Sequence, residues 1–174
     1  DYFSETGQLW GNPVYDWEEM KKHLLHRRIS RIEQTLKLYD IVRIDHFRGF
    51  QAYWEVPGSE TTAINGQWTP APGDEVFRKF KQRFPDLPIL AEDLGVITDD
   101  VRDLMRKYEL PGMRILLFAF GEDLPKNSYA PHHHIQNCVV YTGTHDNNTT
   151  RGWYMEETTE DDRQRIDDYL GKKT

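Results

Sequence analysis

Three carboxylates in this sequence stand where short apolar runs stop. Ile41, Val42 and Ile44 lead into Asp45 within Val42-Arg43-Ile44-Asp45-His46-Phe47-Arg48-Gly49-Phe50. Ile89-Leu90-Ala91 stops at Glu92-Asp93, and Cys138-Val139-Val140-Tyr141 leads through Thr142-Gly143-Thr144 to His145-Asp146-Asn147. Acids at the carboxyl ends of several strands suggest an active site at the top of a parallel βα barrel. Two carboxyl groups with different tasks can cleave a glycosidic bond. One stays ionised and attacks or stabilises the anomeric carbon, and the other gives its proton to the departing oxygen. Asp45 suits the first task. Arg43, two residues earlier in a strand, leaves on the same face, and a neighbouring cation favours a charged carboxylate. Glu92 suits the second, because an apolar approach favours the protonated form. Asp146 would then hold sugar hydroxyls and balance oxocarbenium charge. Taken singly, an Asp after a strand is more often a helix cap or a loop acid. Three such sites, with Arg and His beside them, weaken that bland reading.

The elements that must position these acids alternate. Asp16 and Glu19 have a capping-box spacing, and Trp17, Met20, Leu24, Ile32 and Leu36 recur at helical intervals. That spacing predicts one helix over 16–38, or two with a break near Arg27. A first strand is expected over 40–45. Residues 51–73 contain Pro57-Gly58, Asn65-Gly66, Pro70, Pro72 and Gly73, so they read as an irregular segment with its own small structure, Asn65-Gly66 being a hairpin turn signal. A helix over 74–84 buries Val76, Phe77 and Phe80 and is stopped by Pro85. Strands are expected at 88–92, 113–120 and 137–142. A helix capped by Thr98 follows the first of these, and a last helix over 159–170 begins Thr159-x-x-Asp162. Residues 121–136 leave little room for a helix, so that crossover is short or irregular. Alternating strands and helices predict parallel pairing, and unbroken Ile, Leu, Val and Phe runs predict strands covered on both faces.

Composition sets bounds on partners. The 174 residues are one domain's worth or part of a larger one, 37% hydrophobic and 13% aromatic, as suits a globular protein. A net charge of −7 argues against nucleic acid or an anionic membrane as the main partner and is compatible with an uncharged sugar. Cys138, the one cysteine, lies in an apolar run and reads as a buried, inert thiol. The longest apolar run, 115–120, is too short to cross a bilayer, which takes roughly 20 residues. No signal peptide opens the chain, which makes cytoplasm the default and leaves a plastid open. His132-His133-His134 could bind a metal, but adjacent side chains diverge, and a surface loop opened by Pro131 is the better reading. No Gly-rich phosphate loop is present.

Three motifs carry a resemblance. Val42–Phe50, Ala91-Glu92-Asp93-Leu94-Gly95 and Tyr141-Thr142-Gly143-Thr144-His145-Asp146-Asn147 together closely resemble the 4-α-glucanotransferase (amylomaltase, disproportionating enzyme) family. The opening Asp1–Pro13 resembles that family's active-site loop, and Phe50-x-x-Tyr53-Trp54-x-x-Pro57 also matches. The Arg-x-Asp and His-Asp pieces alone would fit the wider α-amylase clan.

The resemblance implies an α/β fold, part of a (β/α)8 TIM barrel covering about strands four to seven, with 1–174 a single partial catalytic domain lacking N- and C-terminal parts. It implies Asp45 as nucleophile, Glu92 as general acid/base and Asp146 as transition-state stabiliser. Arg43, His46 and His145 correspond to substrate- and nucleophile-contacting positions, and Gln8 and Trp10 to the loop that covers bound glucan. Trp10 would stack on a pyranose ring; as a bland alternative it anchors its loop. The implied reaction is a retaining transfer of α-1,4-glucan between maltooligosaccharides, with no cofactor. An α-amylase-clan hydrolase would use the same acids. A fragment that only binds glucan, self-associates or pairs with the missing barrel half is the non-catalytic alternative.

Overall fold

The computed structural model describes residues 4–23 and 25–171, so Leu24 and the first residues of the loop motif lie outside the described residues. The chain divides into two compact units, Asp1–Leu110 and Pro111–Thr174. Each is considered by itself.

In the first unit, α1 (Trp17–His23) and α2 (Leu25–Leu36) precede β1 (Val42–Ile44). The expected helical stretch is helical on both sides of Leu24, and α2 runs through Arg27 without the expected break there. After a 3-10 turn (Phe47–Phe50), β2 (Ala52–Glu55) and β3 (Gln67–Pro70) pair antiparallel, with Trp54 opposite Trp68 and Glu55 opposite Gln67. The irregular segment therefore carries its own hairpin. Asn65-Gly66 is not its two-residue turn; it closes the long 56–66 connection just before β3. Helix α3 (Gly73–Arg83) buries Val76, Phe77 and Phe80, as its spacing requires. β4 (Ile89–Ala91) then pairs parallel to β1, in register Val42↔Ile89, Arg43↔Leu90 and Ile44↔Ala91. Helix α4 (Asp99–Lys107) starts after Thr98, but the Thr98 hydroxyl bonds the Asp100 carboxylate and makes no cap bond to the backbone. The core gathers α2, α3, α4 and the two parallel strands. Phe77 lies at its centre, with ring centroids 5.2 Å from Phe47, 5.0 Å from Phe50, 5.5 Å from Phe80 and 5.8 Å from Tyr108.

In the second unit, β5 (Gly112–Ile115) pairs parallel to β6 (Cys138–Tyr141). The expected strand over 113–120 is shorter, because Leu116–Phe118 coil into a 3-10 turn. Between the strands the chain is irregular, with a 3-10 turn at Pro131–His133. The three His rings take separate partners: His132 Nδ1 the Tyr169 hydroxyl, His133 Nε2 the Pro125 carbonyl and His134 Nε2 the Tyr129 carbonyl. β5 is buried throughout. β6 is not: Val139, Val140 and Tyr141 are exposed, against the expectation of two covered faces, because an apolar run does not by itself supply a covering layer. Cys138 is correspondingly half-buried, not sequestered, and its thiol donates to the Ile135 carbonyl at 2.9 Å. A short helix α5 (Thr150–Gly152) runs into a π-turn (Trp153–Glu157), and α6 (Glu160–Tyr169) follows with a complete Thr159/Asp162 capping box. Among the described residues, no helix is long and apolar enough to cross a membrane.

Candidate active site

Asp45 and Glu92 each follow the last register pair of neighbouring parallel strands, Ile44↔Ala91. The register therefore sets the two acids side by side at one end of the β1–β4 pair. Asp45 is exposed, and the Arg43 guanidinium donates to its Oδ1 at 2.5 Å, the same-face contact that the two-residue spacing predicts. Backbone bonds then tie the two strand ends together. Glu92 N–H donates to the Ile44 carbonyl at 2.9 Å, and Phe47 N–H donates to the Glu92 carbonyl at 3.1 Å.

The Glu92 side chain differs from its sequence reading. Ile89, Leu90 and Ala91 are buried as expected, yet the carboxyl itself is half-buried and hydrogen-bonded. One oxygen accepts His46 N–H at 2.7 Å and the other accepts Leu94 N–H at 2.8 Å. The bond from His46 depends on an unusual backbone: His46 has φ 46° and ψ 55°, in the left-handed region. A residue with a Cβ pays for that conformation, and such outliers gather at functional sites. The imidazole of His46 is exposed at the same strand end.

Asp146 and His145 occupy a turn in the second unit. Asn147 Oδ1 accepts from Thr144 N–H at 2.8 Å and from the Thr144 hydroxyl at 3.1 Å, and the Thr144 hydroxyl in turn accepts Asp146 N–H at 3.2 Å. This mesh ties down the small residues and leaves the His145 and Asp146 side chains exposed. His145 Nε2 stands 3.4 Å from Asp146 Oδ1, and both are well exposed. Gly143 permits the mesh: a Cβ there would lie 3.1 Å from Leu117 Cδ1 and 3.2 Å from Asn147 Cβ. In the opening segment, Trp10 is 78% exposed, so it does not anchor its loop by burial. Its Nε1 donates to Gln8 Oε1 at 3.0 Å, so amide and indole are held as one unit with a ring face available for stacking.

Sequence reasoning gave no role to Arg48, although it sits inside the first motif. Its guanidinium donates to the Val96 carbonyl at 2.5 Å and lies 4.1 Å from the centroid of Trp68, which meets Trp54 edge-on. Gln51 adds a bond to Asp100 at 2.8 Å. Arg48 thus clasps the loop after β1, the loop after β4 and the hairpin. Its position three residues beyond Asp45 was the available signal.

The family model for 4-alpha-glucanotransferase matches residues 1–174. The chain belongs to the 4-alpha-glucanotransferase family. It is 50% identical over 173 residues to the 4-alpha-glucanotransferase of Aquifex aeolicus, covering 99% of this chain and 35% of that protein. It is 53% identical over 154 residues to the chloroplastic/amyloplastic 4-alpha-glucanotransferase of Solanum tuberosum, covering 88% of this chain and 27% of that one. Among solved structures, the amylomaltase from Streptococcus agalactiae in complex with acarbose superposes with a TM-score of 0.91 at 42% identity, over 98% of this chain and 34% of that one. The chain spans about a third or less of the length of these 4-alpha-glucanotransferases.

Proposed function

We propose that this chain carries the reacting carboxyls of a retaining 4-α-glucanotransferase acting on α-1,4-glucans and maltooligosaccharides. The observation that carries the reading is the placement of Asp45 and Glu92 after one register pair of adjacent parallel strands. Neighbouring strands lie about 4.8 Å apart. Retaining enzymes hold their two carboxyls about 5–5.5 Å apart, whereas inverting ones need roughly 6.5–9.5 Å to admit a water. Adjacent strand ends favour the first.

Asp45 attacks the anomeric carbon while Glu92 gives its proton to the departing glycosidic oxygen. An ester between Asp45 and the glucanyl group forms, and the shortened glucan leaves. Glu92, now a carboxylate, takes the proton of an incoming 4-hydroxyl, whose oxygen displaces Asp45. Two inversions restore the α configuration. Arg43 steadies the carboxylate that attacks. Each Glu92 oxygen accepts one backbone N–H and keeps a second lone pair, where the transferable proton resides. Asp146 balances charge on the ring, with His46 and His145 on sugar hydroxyls. Trp10 and Gln8 cover the glucan and keep water from the ester, which is what separates transfer from hydrolysis. No cofactor is needed.

In this reading β1, β4, β5 and β6 are strands four to seven of a TIM barrel, both units belong to one partial catalytic domain, and the β2–β3 hairpin is an excursion from it. Acarbose, held by the Streptococcus agalactiae amylomaltase, is expected to bind here too. The reaction is placed in the cytoplasm or, by likeness to the Solanum tuberosum protein, a plastid. The isolated 174-residue chain is expected to self-associate or to pair with the rest of the barrel through its open strand edges.

The test uses the full-length protein that contains this segment. With maltotriose it should give glucose plus a ladder of longer oligomers, and Asp45→Asn should nearly abolish that turnover. Wild-type activity in Asp45→Asn would refute the nucleophile assignment, and simple hydrolysis to glucose and maltose would refute transfer.

A further inference from the structure

Arg28, on α2, is half-buried among three aromatic rings. Its guanidinium carbon lies 4.3 Å from the centroid of Tyr15, 5.1 Å from that of Trp17 and 5.8 Å from that of Phe50. Tyr15 and Trp17 themselves stand 5.6 Å apart, so the rings form a cage and not a chance contact. Inside it, Arg28 Nε and Trp17 Nε1 are buried without a hydrogen-bond partner among the described residues. Burial lowers the Arg28 pKa from its ordinary value, with Tyr15 opposing. The guanidinium, half-buried, is thus held by the faces of these rings as well as by a Tyr15 side-chain hydrogen bond, and partial burial strengthens the cation–π attraction.

The cage joins three pieces of chain. Tyr15 and Trp17 are the root of the segment that carries Gln8 and Trp10. Phe50 ends the 3-10 turn that follows Asp45 and His46, and its ring packs on the central Phe77. Arg28 supplies the bridge from a rigid helix. Along 4–16 the chain has no helix or strand, and Leu9, Trp10, Val14 and Tyr15 are exposed. Its placement relative to Asp45 rests on two ties: at its far end the Thr6 carbonyl accepts Ala63 N–H at 3.1 Å, and at its near end stands this root.

We infer that Arg28 is a positioning residue: its aromatic cage fixes the root of the Trp10-bearing segment against the turn after Asp45, and so sets how tightly that segment covers a bound glucan. The inference rests on the glucan reading proposed above. A loosened root weakens substrate binding and leaves the reacting carboxyls where they are. In the full-length protein, Arg28→Met keeps the length of the side chain and removes its charge. The KM for maltooligosaccharide should rise about three- to fivefold, the scale of one partly exposed cation–π contact, while kcat stays within about twofold. Chymotrypsin cleavage after Leu9, Trp10 and Tyr15 should quicken by a similar factor, a readout that needs no activity. Arg28→Lys, which keeps a cation, should restore most of both.

Tyr15→Leu removes one wall of the cage from an exposed position, so it decides the matter if Arg28→Met does not fold, and it should shift KM and cleavage the same way. Unchanged KM and unchanged cleavage in Arg28→Met, or in Tyr15→Leu, overturn the inference. So does a fall in kcat without a rise in KM, or an Arg28→Lys no better than Arg28→Met. If Asp45→Asn retains activity, the glucan reading fails instead, and the cleavage rates still report on the cage.

Discussion

Replacing His46 by glycine and, separately, by alanine distinguishes what its backbone costs from what its ring does. Both variants delete the imidazole, and both keep the N–H that donates to Glu92 at 2.7 Å. The ring is exposed, so its loss removes little packing from either. They differ in the φ of 46°, which alanine must still adopt with a Cβ. The left-handed region costs a residue with a Cβ roughly 1–2 kcal/mol. Glycine gives back roughly 0.5–1 kcal/mol through its greater freedom in the unfolded chain. The net advantage of His46→Gly over His46→Ala is therefore about 0.5–1 kcal/mol, a two- to fivefold difference in the folded-to-unfolded ratio. Amide hydrogen exchange of peptides covering 42–50 and 89–94, read by mass spectrometry, measures it locally. Glucan transfer should fall equally in both, because the ring is missing from both. An alanine variant as stable as the glycine variant would show that the turn after β1 carries no such strain, and would remove the account of why the chain bends there.

Phe77→Ala should destabilise the first unit by about 3–5 kcal/mol, as expected for a buried Phe; its ring meets those of Phe47, Phe50, Phe80 and Tyr108. Protection of the 42–50 amides should drop with it, and unchanged protection would mean that the turn does not depend on this core. Asp74 gives a pH signature. Its carboxyl is held below the usual carboxylate range by the Lys107 ammonium and then by the Tyr108 hydroxyl, whose own pKa is pushed up to about 12 by burial and by Asp74. A depressed pKa contributes stability that is present above the unfolded value, near 3.9, and is lost as pH falls through the folded value. The stability gap between wild type and Asp74→Asn should hold at neutral pH and close on acidification below about pH 4; a gap that persists down to pH 2 would refute the linkage.

Much of the scaffold was legible because it follows from periodicity and punctuation. The Val76, Phe77, Phe80 spacing, the Thr159/Asp162 box and the apolar runs ending at Asp45 and Glu92 each encode a local structure that packing then kept. Arg43 was found on the correct face by strand alternation alone. What failed depended on partners distant in sequence. The exposed β6 and the half-buried Cys138 belong to a chain that spans about a third or less of its relatives' length, so the covering layer that an apolar run predicts need not lie within these residues. Nor does an apolar approach reveal that Glu92 will meet the N–H of a residue 46 positions earlier, since that bond exists only once β1 and β4 are in register. The Arg28 cage draws on residues from three segments and leaves no mark at any single spacing.

The shared register of β1 and β4 also dictates where this segment tolerates changes of length. Side chains alternate between the two faces of a strand, so deleting or inserting one residue within Val42–Ile44 or Ile89–Ala91 would swing the acid beyond it to the opposite side. The 56–66 connection is constrained at Ala63, which is buried, donates its N–H to the Thr6 carbonyl and accepts from Trp54 Nε1 at 2.7 Å on its own carbonyl. Residues 57–59 are exposed, however, and doubling the length of a flexible loop costs only about 0.6 kcal/mol. Natural or engineered variation in length should therefore accumulate at 57–59, and the two three-residue strands should keep their count even where their side chains change.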